Sequence, residues 1–444
     1  MTPRVPSVPS EARRAGAGGR GRLMLAVLVA AYVLSFVDRS IINLLVVPIK
    51  HEFALSDVRM SLLQGLSFAL LLSLSAIPIG RLVDTRPRMR LLMLGVLVWS
   101  LATAGCGIAT GFWQLLGCRV FVGIGEAVLL PAAYSLIGDV FPADRQGIAS
   151  GLFTLGSYVG SGVALVMGAV ALRLLPAEAD LPVIGIRHGW QLLFLILLLP
   201  GVFIVALFKL VEEPARRSRP QSSTLKDALR WFPSRLVVLA PVWLTMTFAG
   251  LSVYALLAWV PTFFQRHFGI PATQIGYPLG LIVMFSGIAG TISAGLIGDW
   301  VARYRASRRL LVFAAGTALA IPCFIAGLSA GDPSLALTLL APAIFFLTMG
   351  IGSGPAIVQQ ITPPHMRGLV HAVAGLMISG LGLGFGPTAV ALLTDNVFQD
   401  ESEVGVALSI TLSIACLVAA VCALLAVRPY ERLRERQGGD FFFA

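Results

Sequence analysis

Four ionisable side chains stand inside apolar surroundings: Asp38 and Arg39 at the centre of VLSFVDRSIINLL (Val33 to Leu45), and Arg119 and Glu126 within a later apolar run. A charge at the middle of a bilayer costs at least about 2.5–3.5 kcal/mol, so each must face a cavity or a partner. Arg119 and Glu126 are seven residues apart, which in a helix puts them on one face about 10.5 Å apart along the axis. Gly123 lies between them and leaves room for another helix; Asp38 is the expected visitor. Tyr32, Ser35, Arg39 and Asn43 follow one helical stripe, with Asp38 about 100° away. Arg39 is therefore expected to line a water-filled cavity, and Asp38 to turn toward the helix that carries Arg119. Desolvation raises a carboxyl's proton affinity and a neighbouring guanidinium lowers it, so Asp38 and Glu126 are candidate proton sites with Arg119 as counter-charge. The planar donors of Arg39 suit it to grip a phosphate or carboxylate. A fixed ion-pair cluster that only pins helices together is the plainer alternative.

The elements that position these groups must be membrane helices. The chain is 57% hydrophobic and 12% charged, with mean hydropathy +0.86, against roughly 45–50% and 25% in soluble domains. Apolar runs long enough to cross about 30 Å of hydrocarbon fall at 23–47, 61–83, 91–109, 113–138, 149–172, 190–210, 235–264, 275–298, 309–328, 335–358, 368–393 and 404–427. Unpaired backbone is not tolerated in lipid and the period-2 alternation of barrel strands is absent, so twelve helices are predicted. The first run exceeds the apolar core of a secretory signal and lacks an A-x-A site, so it is read as a retained span.

Net charge is +11, and its distribution explains it without nucleic acid. If the N-terminus is cytoplasmic, the segments on that side hold 26 of the 33 Lys and Arg and the opposite side holds five. Such asymmetry places both termini in the cytoplasm. Cys106, Cys118, Cys323, Cys416 and Cys422 all lie inside predicted spans without a C-x-x-C pair, so neither disulfides nor a metal site is expected. No cofactor is expected either.

The polar stretch between the sixth and seventh spans divides the chain. The expected organisation is an N-tail 1–22, a six-helix bundle 23–210, a cytoplasmic linker 211–234, a second six-helix bundle 235–427 and a C-tail 428–444. The halves echo each other: GRLVD (Gly80 to Asp84) with GLIGD (Gly295 to Asp299), VGIGEA (Val122 to Ala127) with MGIGSG (Met349 to Gly354), and FPADRQG (Phe141 to Gly147) with TPPHMRG (Thr362 to Gly368). Three echoes in one order make two pseudo-symmetric bundles the expected fold. The second half carries no ionisable residue deep in a span; Thr247, Tyr254 and Ser353 are its polar candidates for the substrate wall.

These strings resemble the major facilitator superfamily. Gly80, Leu82, Asp84 and Arg88 look like its loop signature, although Pro87 replaces the usual later glycine and Thr85 a frequent basic residue. Arg119, Gly123, Gly125, Glu126 and Ala127 are similar to its fourth-span signature. The VDR of the first span, LLQGLSFALL (Leu62 to Leu71) and LLPAAYSLIGDVFP (Leu129 to Pro142) narrow the resemblance to the Spinster-like branch. The resemblance implies a gating role for Gly80, Asp84, Arg88 and the echoed Asp299, and an amphiphilic cargo such as a lysophospholipid or sphingoid phosphate.

With no G-x-x-x-x-G-K-[ST] string to bind nucleotide, an ion gradient must drive transport. The expected activity is proton-coupled secondary transport of an anionic-headed amphiphile by a multi-pass protein of the cytoplasmic (inner) membrane, acting as a monomer. Multidrug/proton antiport is the alternative. A membrane-embedded lipid enzyme would need a nucleophile or metal constellation, and the chain has neither H-E-x-x-H nor clustered His with Asp.

Overall fold

The computed structural model describes residues 19–182, 185–216, 231–362 and 366–436. Among them are twelve helices long and apolar enough to cross a membrane: α1 (Gly19–Leu44), α2 (Asp57–Ala76), α3 (Arg88–Ile108), α4 (Phe112–Val140), α5 (Arg145–Leu174), α6 (Gly189–Lys209), α7 (Leu236–His267), α8 (Ala272–Ala302), α9 (Arg308–Leu328), α10 (Pro333–Ile361), α11 (Val373–Phe398) and α12 (Glu401–Glu435). Several outrun their apolar stretches, helix continuing from α2 to Thr85 and from α12 to Arg436. Bilayer thickness limits the apolar length and not the helix itself. The tail residues 1–18 and 437–444, residues 217–230 of the linker and Pro363 to His365 of the third echo lie outside the described residues.

Breaks mark places where the helical ladder fails. They occur at Leu45, at Ala127 and Val128 in α4, at Leu197 in α6 and at Ser353 in α10. Each lies two to four residues ahead of a proline (Pro48, Pro131, Pro200 and Pro355), which has no N–H to donate to the preceding turn. The α4 break falls immediately after Glu126, so the candidate proton site sits at the end of a helical segment. A short hairpin between α5 and α6, β1 (Glu178–Leu181) with β2 (Gly185–His188), pairs Glu178 opposite His188 and Leu181 opposite Gly185. It adds a small extramembrane element to the helical plan.

Helices α1–α6 form one bundle and α7–α12 the other, and the bundles meet mainly along α5 with α8 and along α2 with α11. At both seams glycine permits main chain to meet main chain. A Cβ on Gly162 of α5 would stand 2.5 Å from the carbonyl oxygen of Gly280 on α8, and one on Gly280 equally close to the Gly162 carbonyl. Gly65 of α2 meets the Leu383 carbonyl of α11 in the same way. Both partners there are π-helical, Leu62–Leu66 and Ile378–Leu383, a local widening often found at functional positions.

The apolar core is not uniform. Away from the termini one cluster runs through both bundles, including Ile41 and Leu45 of the first bundle with Trp259, Phe263 and Leu328 of the second. Toward the termini it divides into a cluster almost wholly of the first bundle, around Trp99 and Leu136, and one of the second, around Trp243 and Phe313. The bundles are thus joined at the far end and separate at the terminal end.

Candidate functional site

The charged residues of α1 and α4 come together at the level where the core divides. Arg39 Nη2 donates to Glu126 Oε2 at 2.6 Å, with the Glu126 side chain 1% exposed and that of Arg39 12%. The guanidinium lies between two phenylalanine rings, 4.6 Å from the centroids of both Phe36 and Phe68, where cation–π attraction favours the ion. One donor and one acceptor of the pair stay open: Arg39 Nε and Glu126 Oε1 are buried without a hydrogen bond. Ser35 lies beside Glu126, and Tyr32 stacks on Phe153 at 4.4 Å on the same stripe.

Two expectations change. Arg119 spends its donors on main chain, on the carbonyls of Leu63 at 3.1 Å, Asp38 at 3.2 Å and Arg39 at 3.5 Å, so the direct partner of Glu126 is Arg39. The visitor at Gly123 is Phe68 of α2, whose carbonyl would lie 2.8 Å from an added Cβ; the space expected for Asp38 is taken by a neighbouring backbone. The Asp38 carboxyl is fully buried and faces the Trp99 indole of α3, with neither oxygen in full hydrogen-bond geometry. Helical spacing placed Asp38 off the Arg39 stripe correctly but could not say which neighbour it meets.

Beside Arg39, a narrow pocket opens between the bundles, lined by Asn43, Gln64, Tyr254, Leu257 and Leu383 among others. Gln64 is a residue that sequence reasoning missed. Its Nε2 donates to Asn43 Oδ1 at 3.2 Å and to the Ala258 carbonyl of α7 at 2.9 Å, joining three helices across the bundle boundary. The π turn at Leu62–Leu66 carries it, and only its position within an apolar stretch could have flagged it. Tyr254 lies near Arg39. Thr247 is buried with a free hydroxyl about two turns before Tyr254 on α7. Ser353 is elsewhere, its hydroxyl over Gly298 toward the terminal end of α8.

At the far end the boundary is closed by charge. Asp57 at the start of α2 is fully buried and accepts from Arg266 of α7, Nη1 and Nη2 both at 2.8 Å, from Thr394 of α11 at 3.0 Å, and from Lys50. Lys50 and Arg266 also reach Glu401, each at 2.9 Å, and Asp395 accepts from the Val58 N–H at 2.8 Å. Charges of both bundles therefore form one clasp.

A model of the Major Facilitator Superfamily matches residues 28–387. The chain belongs to that superfamily. Among its relatives are an MFS-type efflux pump of Mycolicibacterium smegmatis, 26% identical over 440 residues and covering 96% of this chain and 98% of that one. A probable L-galactonate transporter of Escherichia coli K12 is 26% identical over 380 residues (81% and 77%), and protein spinster homolog 3 of Danio rerio is 24% identical over 420 residues (89% and 80%). In fold the chain resembles a bacterial homolog of the human lysosomal transporter Spinster, solved inward-facing and unoccupied, with TM-score 0.75, 23% identity and coverage of 94% and 98%.

The residues that resemble the superfamily's loop signature lie at the terminal end. Arg88 is fully buried and binds Asp139 and Ser135 of α4, Glu213 and the Pro214 carbonyl. Arg216 donates to the carbonyls of Val83, Asp84 and Arg86. The chain just after α6 thus clamps the end of the helix that carries Gly80 and Asp84. In the other half Asp299 pairs with Arg309 at 2.5 Å. Asp139 and Glu213, the acids that hold Arg88, were not anticipated. The chain also contains one G-x-S-x-G string, Gly327 to Gly331; its Ser329 hydroxyl donates to the Ile325 carbonyl at 2.6 Å where α9 ends, not at the strand-to-helix elbow that serves nucleophilic catalysis. Superfamily transporters are not enzymes, and this string does not make the chain one.

Proposed function

We propose that this superfamily transporter carries an anionic-headed amphiphile, of lysophospholipid or sphingoid-phosphate type, across the cytoplasmic membrane in exchange or together with protons, as a monomer. The observation that carries the reading is the Arg39–Glu126 pair, buried at the bundle boundary with one donor and one acceptor still open. Glu126 and the anionic head compete for the same guanidinium. When a head group takes Arg39, Glu126 loses its counter-charge in a low-dielectric wall and is better accommodated as the neutral acid; when Glu126 ionises, it reclaims Arg39. Proton and cargo are thereby linked through one side chain. Arg119 holds α1 and α2 in register by their carbonyls, and Asp38 beside Trp99 is the second acid. The aromatic and aliphatic wall of Phe36, Phe68, Tyr254 and Leu257 suits an apolar tail. With both termini cytoplasmic, as the arginine distribution supports, the clasped far end faces outward and the structure is an inward-open state. Alternating access then closes the terminal end, where Gly80, Asp84, Arg88 and Asp299 lie.

The test is uptake by proteoliposomes under an imposed pH gradient, with a labelled lysolipid, a hydrophobic cation and a sugar acid compared. Gradient-driven accumulation of the lysolipid is expected, abolished by Glu126→Gln and strongly reduced by Asp38→Asn. Arg39→Ala is expected to lower binding of the anionic amphiphile by one to two decades, on the order of 1.5–3 kcal/mol for a lost charge-assisted bond. Full gradient-driven uptake by both acid variants would refute the proton assignment. Preference for the cation would support multidrug antiport, in keeping with the name of the mycobacterial relative.

A further inference from the structure

On the outer surface of the second bundle, α9 and α12 leave a groove of about 510 Å³, within the range that accommodates a small ligand. Leu311 of α9 and Val421, Leu424, Leu425 and Arg428 of α12 line it. On α12, Val421, Leu424, Leu425, Arg428 and Arg432 share one helical face, and all five are exposed. On α9, exposed Arg308 precedes Leu311 by one turn toward the same terminal end. An apolar slot is therefore crowned by three guanidinium groups. Among the described residues none of the three is in an ion pair: Glu431, on the same turns of α12, is engaged by the Ser307 hydroxyl at 2.6 Å and by Arg305 at 3.7 Å, and Arg308 rests 5.3 Å from the Tyr304 ring centroid.

We infer that this groove seats one anionic phospholipid of the surrounding bilayer, an acyl chain along Leu311, Leu424 and Leu425 and the phosphate against Arg308, Arg428 and Arg432. The apolar slot alone would accept any acyl chain; the unpaired guanidinium groups select the head, because they match phosphate in geometry and sign. From Arg428 to Val421 the slot extends about 10.5 Å down the helix, enough to guide the upper part of the chain. Both walls belong to the second bundle, so a lipid held here fastens that bundle to its leaflet and leaves the first free to move against it.

The test is native mass spectrometry of the full-length protein after exchange with vesicles of dioleoyl phosphatidylglycerol or dioleoyl phosphatidylcholine. One phosphatidylglycerol is expected to remain per chain in preference to phosphatidylcholine. Replacing Arg308, Arg428 and Arg432 by Gln is expected to reduce that retention roughly fivefold per arginine, about a hundredfold together. Leu425→Trp, at an exposed position where folding is not threatened, is expected to fill the slot and remove retention with every charge in place. Equal retention of the two lipids by the unaltered protein overturns the inference. So does undiminished phosphatidylglycerol retention in the Leu425→Trp variant or in a triple variant with unaltered thermal stability.

Discussion

The two ends of this molecule are closed by different means. At the far end a single apolar core passes through both bundles and the Lys50, Asp57, Arg266 and Glu401 clasp crosses between them. At the terminal end each bundle keeps its own core, and every ion pair among the described residues joins a bundle to itself or to the chain just after α6. The difference shows where reversibility has been placed. Buried ion pairs lose in desolvation much of what they gain in attraction, so a clasp of charges can hold one state without making it permanent.

That comparison can be broken most severely at Asp57, the acid on which two cations and a hydroxyl converge. Asp57→Asn leaves Lys50 and Arg266 without their buried counter-charge, a loss of about 3–5 kcal/mol. Spin labels on Thr110 and Ser329, at the far ends of the two bundles, are expected to report longer separations in this variant. An unchanged distance distribution would remove the clasp from the account. Arg88→Ala is next: it strips charge-assisted bonds of roughly 1.5–3 kcal/mol from the terminal end, and is expected to lower thermal stability while leaving the Thr110–Ser329 distances alone. Movement of the far end in that variant would mean that the ends are not independent. Gln64→Leu, removing one hydrogen bond across the boundary, is expected to shift the same distances modestly, by about 1 kcal/mol in population. Glu401 is 61% exposed in its side chain, so solvent screening limits Glu401→Gln to under about 1 kcal/mol, and the effect should fade as salt is raised. A Glu401 effect as large as that of Asp57 would show that the clasp is less shielded than its burial indicates.

The fold was legible because composition and length suffice for a membrane helix: twelve runs announced twelve spans, and the breaks follow from prolines visible in the chain. The four intramembrane charges were legible for the same reason, since every other charge in those runs lies within about two residues of an end. Their pairing was not. Arg39 reaches Glu126, and Arg119 turns to carbonyls, because of how α1, α2 and α4 are rotated against one another, and helical periodicity gives the face of a residue without giving its neighbour. Asp57 and Asp139 escaped notice since an acid near the end of a span reads like any polar boundary; only burial between helices far apart in sequence distinguishes them. The hairpin between α5 and α6 is four residues per strand, too short for alternation to stand out.

The seam between α5 and α8 carries a mechanical consequence. Where Gly162 and Gly280 touch, main chain bears on main chain with only Val166, Leu165 and Met284 alongside, so the joint behaves as a bearing whose friction is set largely by backbone shape. A single methyl group at either glycine would act as a wedge in that bearing. It would tilt the whole lever about its fulcrum and change the angle of opening at a mouth many residues distant, with no charge, gate or cargo contact altered.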